Sequence, residues 1–295
     1  MADKDSLSRF VFENFPVRGE LVHLNASWQA MLENHEYPAP VRRLLGEAVA
    51  AAVLLASILK FKGQLTLQIH GNGPLTLLVA QCSADLHIRG IAKWEEGDLP
   101  EGLAGLTGGG RLAITIETGK DGERYQGIVA AEGETLAACL EGYFENSEQL
   151  PTRLWLAASG NGAAGMLLQQ LPGRAAAEDA GDDWRRAQLL ADTLSEGELM
   201  ELDNEDVLRR LFHEDRIRLF DPAPVAFRCS CSRERVASAL RLLGRGELED
   251  LAEADGSVEV RCEFCGRSYP LDPVDLEQLF SASEAPAPPP SRRLH

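Results

Sequence analysis

The hydrophobic pattern of the first 175 residues alternates between helical and strand spacing. Apolar residues recur every three or four positions from 40 to 60, which predicts a long helix, and a shorter helix is predicted at 27–32. Within the long helix, residues 48–59 are apolar except for Ser57. That run is shorter than the roughly 18 residues that a membrane-spanning helix needs, so we interpret it as a buried core helix.

Two β-hairpins are predicted in the same region, because short apolar runs flank turn-forming residues. The first hairpin turns at Gly-Asn-Gly-Pro, 71–74, and the second at Lys-Asp-Gly, 120–122. The predicted strands are 65–69, 75–80, 112–118 and 125–130. A helix at 134–146 and a strand at 153–158 follow. Strand pairs that alternate with helices predict an α+β fold, with an N-terminal α/β core domain of mixed sheets and helices at 1–177.

The composition changes sharply at 178–215. Thirteen acidic residues and four arginines give this segment a net charge of 4 − 13 = −9, more than half of the −17 of the whole chain. Apolar stripes still predict short helices, and Ser195 followed by Glu198 is a capping-box pattern, with a second N-cap at Asp203. Such helices are marginal alone. We therefore predict a metastable acidic helical linker at 178–224 that packs on a neighbour, with a solvated helical linker as the alternative.

The overall charge excludes several classes of partner. The chain has 29 Lys and Arg against 46 Asp and Glu, which opposes docking on nucleic-acid phosphates or on anionic membranes. No nucleic acid and no membrane are expected as partners. Residues 1–10 contain no apolar run of the kind that a secretory signal needs, so a cytoplasmic location is expected.

Four of the six cysteines form two close pairs. Cys229 and Cys231 form a CxC pair, and 30 residues separate it from the CxxC pair of Cys262 and Cys265. Four soft thiolates in two pairs are the ligands of a tetrahedral structural zinc site. Gly266, which follows the second pair, permits the positive φ of a zinc-knuckle turn. The spacing predicts Zn²⁺ bound by these four cysteines.

The zinc site also predicts a small C-terminal domain at 225–280. So short a module buries little apolar surface, and zinc supplies about 10–16 kcal/mol of folding free energy in small zinc peptides. A Pro-rich tail at 281–295 is expected to be disordered.

The CxC pair suggests a switch in addition to a structural role. Four thiolates around one Zn²⁺ leave a net charge of about −2, which keeps the sulfurs in the form that reacts with peroxide or hypochlorous acid. Oxidation would expel the metal and remove its contribution to folding in one step.

Other interpretations of the cysteines are weaker. Chance clustering does not explain the ligand spacing. A CxxC oxidoreductase needs a thioredoxin-like context, whereas this CxxC follows a predicted strand at 257–261. A zinc-ribbon nucleic-acid or ribosome-associated adaptor is the more serious alternative, although 228–267 carries seven Arg and eight acidic residues and so has no net positive charge.

No active site is predicted. The GxGxxG match at 160–165 is followed by too few residues for the crossover helix of a nucleotide site, and we interpret it as a turn. The six histidines are scattered and form no catalytic motif. His35, which precedes Glu36, is interpreted as part of a helix terminus. Cys82 and Cys139 lie in apolar contexts typical of buried thiols. The chain is therefore not expected to be an enzyme, and no catalytic residue is assigned.

The chain resembles the redox-regulated heat-shock holdases, the 33 kDa chaperonins or heat shock protein 33, up to about residue 280. The matching stretches are RG at 18–19, HEYP at 35–38, LLGE at 44–47, LKF at 59–61, YQGIV at 125–129, YF at 143–144, SEQLP at 147–151, GMLLQQLP at 165–172, LFHE at 211–214 and CSCSRER at 229–235, together with CxxCG.

The resemblance implies a function and a regulation. In that family the four cysteines bind one zinc ion when reduced, and oxidation releases the zinc. The disulfides implied here are Cys229–Cys231 and Cys262–Cys265. The resemblance further implies that the linker unfolds, that the oxidised form is a homodimer, and that it holds unfolded or partly folded clients without ATP under oxidative stress. The acidic linker adds a physical reason, since its apolar stripes could bind clients while its charged face keeps the complex soluble.

Overall fold

The computed structural model describes residues 5–59, 61–118, 124–172, 180–252 and 256–281. The chain divides into two compact units, 1–228 and 229–295, and each is described by itself. The predicted turn at 120–122, the predicted domain boundary after 177 and the Pro-rich tail beyond Ser281 lie outside the described residues.

One long helix forms the centre of the first unit. Helix α1 spans Ala26–Leu32 and α2 spans Ala39–Ile58, and 13 of the 20 residues of α2 are buried. The helix packs on strands of two different sheets, so it is apolar on most of its circumference. This confirms the predicted core helix to within two residues at each end. No helix among the described residues is long and apolar enough to cross a bilayer.

The first sheet packs on one side of α2. Its strands are β1 (Ser6–Phe12), β2 (Val17–Leu24), β8 (Thr152–Ala158), β9 (Ala163–Gln170), β10 (Ile217–Leu219) and β11 (Ala223–Pro224). The order is β10-β1-β2-β9-β8, with β11 also paired to β1 and all pairs antiparallel. Strand β8 confirms the strand predicted at 153–158, whereas β1, β2 and β9 have no counterpart in the sequence prediction.

The second sheet packs on the other side of α2. Its strands are β3 (Gln64–His70), β4 (Leu75–Ser83), β5 (His87–Trp94), β6 (Gly110–Glu117), β7 (Arg124–Ala131) and β12 (Ala226–Phe227), in the order β12-β5-β4-β3-β6-β7. Pairs β3–β4 and β6–β7 are antiparallel, which confirms both predicted hairpins. Only β12 pairs in parallel among these described strands. Helices and largely antiparallel sheets in one body confirm the α+β class.

Two further helices complete the body. Helix α3 spans Leu103–Thr107, and α4 spans Leu136–Tyr143 with a side-chain cap from Thr135. The chain continues from α4 through a π-helical turn at Phe144–Glu148. The helix predicted at 134–146 is thus present, but its α-helical part is shorter and its C-terminal end is π-helical.

The acidic segment packs on the face of the first sheet that points away from α2. It forms α5 (Ala180–Ala191), α6 (Glu196–Glu201) and α7 (Asn204–Phe212). Ser195 and Glu198 form the predicted capping box, and Asp203 is the N-cap of α7 without a capping hydrogen bond from its side chain. The apolar residues of these helices share a buried cluster with Phe10 and Phe12. The segment therefore packs on a neighbour instead of forming a solvated linker.

The second unit is small. It contains α8 (Arg233–Leu243), α9 (Arg245–Leu251), β13 (Val258–Arg261), β14 (Ser268–Leu271) and α10 (Pro273–Ser281). Strand β13 confirms the strand predicted at 257–261 and pairs antiparallel with β14. Its buried cluster among the described residues is four leucines with a few partly buried neighbours. A core of this size gives little hydrophobic stabilisation, about 1.5–3 kcal/mol per buried side chain before the entropy of folding is subtracted.

A buried carboxyl at the first sheet leads to a pH prediction. Glu20 on β2 is 3% exposed, and the Ser57 hydroxyl donates a hydrogen bond to it. Burial raises the pKa of Glu20 from 4.5 to about 7. Because the folded-state pKa is raised, ionisation destabilises the fold as pH rises from about 4.5 through 7. Replacing Glu20→Gln should therefore stabilise the first unit by about 3 kcal/mol at pH 8 and by little at pH 4.5.

Urea unfolding at the two pH values measures this difference. The exposed Glu36→Gln is the matched control and should leave stability unchanged at both pH values. A Glu20→Gln effect of equal size at pH 4.5 and pH 8 would contradict the assignment.

Candidate metal centre

The structure brings the four predicted cysteines together at one end of the β13–β14 hairpin. Cys262 follows β13, and its amide donates a hydrogen bond to the Arg267 carbonyl at 2.9 Å. The Gly266 amide donates to the Cys262 carbonyl at 2.8 Å, with Gly266 at φ 66°. This closed turn places Cys265 beside Cys262 and confirms the predicted positive φ.

The CxC pair lies at the start of α8. Ser232 is the N-cap of α8, and its hydroxyl accepts a hydrogen bond from the Arg235 amide at 3.3 Å. Cys231 directly precedes this cap, so the start of α8 fixes the position of its backbone. Cys229 lies one residue further back. The local sequence thus fixes one pair on a helix start and the other on a hairpin turn.

The four sulfurs have the spacing of a tetrahedral site. All four Sγ atoms lie within 4.8 Å of one another. The Cys229 and Cys262 sulfurs are 3.7 Å apart, and those of Cys231 and Cys265 are 3.4 Å apart. A tetrahedron of thiolates about 2.3 Å from a zinc ion has edges of about 3.8 Å. The cluster therefore fits a four-coordinate metal ion, and no other group of three or more potential ligands occurs among the described residues.

The environment differs between the four thiols. Burial works to raise the pKa of Cys231, but hydrogen bonds from Tyr269 and the neighbouring thiols outweigh it and lower that pKa to about 7. Burial raises the pKa of Cys229 and raises that of Cys265 to about 12. Of these three thiols, Cys231 is therefore expected to lose its proton first.

Tyr269 on β14 supports the cluster. Its hydroxyl donates a hydrogen bond to the Cys231 sulfur at 3.0 Å, and the side chain is 8% exposed. The residue was not predicted, since a tyrosine four positions after the last cysteine has no spacing signal of its own. Hydrogen bonds to a ligand atom orient it and tune its basicity.

Removing that hydrogen bond should weaken metal binding. The variant Tyr269→Phe keeps the ring in place and loses only the donor, so zinc affinity should fall about tenfold. Competition with a chromogenic chelator measures the effect. Tyr125→Phe in the first unit is the control and should bind zinc like the unmodified chain. Equal competition curves for Tyr269→Phe and the unmodified chain would contradict a supporting role.

The other motifs lie away from the cluster. Cys82 and Cys139 are buried in the first unit, as predicted, and burial raises the pKa of the Cys82 thiol to about 12. The GxGxxG stretch at 160–165 forms the tight connection between β8 and β9 and runs into β9, which confirms its interpretation as a turn. His35 and Glu36 lie in the connection between the end of α1 and the start of α2, so they are not part of a helix terminus as predicted.

Sequence comparison decides the family. A family model described as Hsp33 protein matches residues 5–272. The chain belongs to the Hsp33 family. A 33 kDa chaperonin of Nitrosococcus oceani is 50% identical over 95% of this chain and 96% of its own length. A second, of Azotobacter vinelandii, is 49% identical over 99% of this chain and all of its own length.

Structure comparison agrees with the Hsp33 assignment. The crystal structure of a 33 kDa chaperonin, the heat shock protein 33 homologue of Thermotoga maritima, superposes with a TM-score of 0.82 at 25% identity. The match covers 95% of this chain and 99% of that one. The Hsp33 family and the names of these relatives support a chaperone and suggest a protein without catalytic activity.

Proposed function

We propose that this Hsp33 chain is a redox-regulated, ATP-independent holdase that binds unfolding proteins and prevents their aggregation under oxidative stress. The observation that carries the proposal is the cluster of four sulfurs within 4.8 Å of one another, the arrangement that both binds Zn²⁺ and exposes thiolates to oxidant. Cys229, Cys231, Cys262 and Cys265 hold the zinc in the reduced state. The metal supplies folding free energy to a unit whose own core is small.

Oxidation reverses this state. Formation of each disulfide releases two electrons and two protons from two thiols, and one hydrogen peroxide molecule accepts them and becomes two water molecules. Once zinc has left, the short loops of CxC and CxxC favour pairing between sequence neighbours, because loop closure costs less entropy for short separations. The proposed disulfides are Cys229–Cys231 and Cys262–Cys265, the pairing that the resemblance to the 33 kDa chaperonins implies. Their formation removes four thiolate ligands and the stabilisation that zinc supplied.

The acidic segment is the proposed client-binding element. It is held to the first sheet by a few polar contacts besides its buried apolar face. The His23 ring nitrogen lies 2.7 Å from the Leu199 carbonyl oxygen, and the Asn204 amide donates to the Ser8 hydroxyl at 2.8 Å. An exposed ion pair joins Arg43 to Glu196. Release of the helices would uncover apolar residues on a chain region that remains soluble through its charge.

The connection between the segment and the cysteines is short and weakly held. Strands β10, β11 and β12 have only two or three residues each, and Arg228, which precedes Cys229, donates one backbone hydrogen bond to Ile88 at 3.0 Å. We propose that the folded zinc unit stabilises this connection and the segment before it. Loss of zinc then favours opening of 180–215. In the cytoplasm, the oxidised chain acts as a homodimer on unfolded or partly folded proteins, and its charge of −17 disfavours nucleic acid and membranes.

A titration with peroxide tests the function. Zinc release, free thiols and suppression of aggregation of a heat-unfolded client enzyme are followed against oxidant dose. Zinc and four thiols should be lost together as chaperone activity appears. Cys139→Ser is the control, because its thiol is buried outside the cluster and should not change the response. Equal activity in the reduced and oxidised forms, with zinc retained, would overturn the proposal.

A further inference from the structure

The second sheet has a face that the proposed holdase switch does not use. On β3 to β7 every second residue points away from α2, and we call these residues the outer face of the second sheet. The aligned strands arrange them in rows across the sheet, because residues directly opposite one another share a face. Three of these rows have distinct chemistry.

The first row is a hydrogen-bonded polar ladder. It consists of Arg89, Gln81, Thr66, Thr115 and Gln126, each opposite the next on the neighbouring strand. The Arg89 guanidinium donates to the Gln81 side chain at 2.6 Å, and Gln81 donates to Thr66 at 2.9 Å. Gln126 donates to Thr115 at 3.1 Å. These bonds fix the orientation of the amide and hydroxyl groups along the row.

The next two rows are apolar and basic. The apolar row is Ile91, Val79, Gln68, Ala113 and Ile128. Ile91 and Val79 are buried, whereas the Ile128 side chain at the β7 end is 60% exposed. The basic row is Lys93, Leu77, His70, Arg111 and Ala130. Its two cationic side chains, Lys93 on β5 and Arg111 on β6, are both exposed. An apolar strip thus lies between a polar ladder and a basic row.

The charge of this face is opposite to that of the chain. Arg89, Lys93, Arg111 and Arg124 face outward with Glu117 as the acidic residue, a net of 4 − 1 = +3 on a chain of −17. Described residues 180–215 of the acidic segment carry 11 acids and four arginines, a net of −7. The Debye length is about 8 Å at physiological salt. A polypeptide in contact with this face therefore interacts mainly with its local charge of +3 and less with the total of −17.

We propose that the outer face of the second sheet is a docking surface for acidic, partly apolar segments of client polypeptides. The proposal rests on the holdase function proposed above and adds a substrate class to it. A chain of −17 repels acidic clients at long range, and this face gives such clients a complementary place to bind. Burial of the exposed Ile128 side chain, at the end of the apolar row, adds desolvation to the attraction between opposite charges.

Binding of a fluorescein-labelled peptide of Glu-Glu-Leu-Ser repeats, followed by fluorescence anisotropy, tests the proposal. The full zinc-loaded chain is compared with the double variant Lys93→Glu/Arg111→Glu. Binding should weaken with salt and should be about tenfold weaker in the variant. Arg235→Glu/Arg241→Glu is the control, since it reverses two exposed charges on α8 of the second unit and changes the net charge equally. Its peptide affinity should match that of the unmodified chain.

Several results would overturn the proposal. Equal weakening of peptide binding in both double variants would show an effect of net charge alone. Absence of peptide binding to the unmodified chain would show that the outer face is not a docking surface. If oligo(dT) bound the face and the Glu-rich peptide did not, the ligand would be a nucleic acid. If Lys93→Glu/Arg111→Glu only dissociated the oxidised dimer in analytical ultracentrifugation, the occupant would be a second copy.

Redox-dependent protection of a basic client, lysozyme, should persist in the variant. Loss of redox activation with intact peptide binding would instead count against the holdase switch alone.

Discussion

Replacing Cys262→Ser should deprive the second unit of its zinc and of most of its folded structure. Three thiolates and a hydroxyl cannot hold the ion as tightly, and metal binding supplies about 10–16 kcal/mol in comparable small modules. The remaining core, built around Leu240, Leu248, Leu271 and Leu279, is too small to compensate. Zinc content measured with a chromogenic chelator should fall, and circular dichroism should show loss of helix.

The same variant should loosen the acidic segment in reducing buffer. Limited proteolysis should cut within 180–215 faster than in the unmodified chain, because the folded zinc unit no longer stabilises the connection. Cys139→Ser removes a buried thiol outside the cluster and should keep both zinc and protease resistance. Unchanged protease resistance of the segment in Cys262→Ser, after zinc has been lost, would count against the coupling.

Replacing Phe212→Ala should release the acidic segment without touching the metal centre. Phe212 on α7 is 2% exposed and packs edge-to-face on Phe12, with ring centroids 5.0 Å apart. Truncation of a buried Phe costs about 3–5 kcal/mol, a large part of what can hold so short a helix to the sheet. The variant should bind clients in reducing buffer with its zinc retained. Suppression of client aggregation, measured beside zinc content, checks this result.

Leu189→Ala is the matched control for that variant. Leu189 lies on the same acidic segment, but its side chain is 60% exposed, so truncation should change neither packing nor activity. If Phe212→Ala opened the segment to protease without any client binding, the segment would not be the client surface. If neither changed, docking of α7 would not control the switch.

The sequence predicted the central helix from apolar residues at every third or fourth position. It predicted both hairpins of the second sheet from short apolar runs on either side of turn-forming residues. It did not predict β2 and β9, which are buried on both faces between α2 and the acidic segment. A strand buried on both faces has no two-residue alternation, so its pattern resembles any short apolar run. These strands form the surface on which the acidic segment packs. Because they were not predicted, the sequence alone could not decide between a segment packed on a neighbour and a solvated helical linker.

The cluster of four cysteines was more predictable than the first sheet. Ligand spacing in CxC and CxxC fixes each pair locally, and Gly266 marks the turn. What sequence could not supply was the distance between pairs separated by 30 residues, which depends on how the hairpin and α8 fold together. The hydrogen bond from Tyr269 to Cys231 is likewise a product of tertiary structure. The division of the chain into a core at 1–177, a linker at 178–224 and a zinc domain at 225–280 stays a prediction.

Hydrogen exchange of the backbone amides in 180–215, measured at each step of a peroxide titration with zinc release in the same samples, tests the coupling most directly. Protection of α6 and α7 should fall in proportion to the zinc released, while the amides of β3 and β4 keep theirs. Complete zinc release with full protection of α6 and α7 would contradict a switch that acts by freeing this segment.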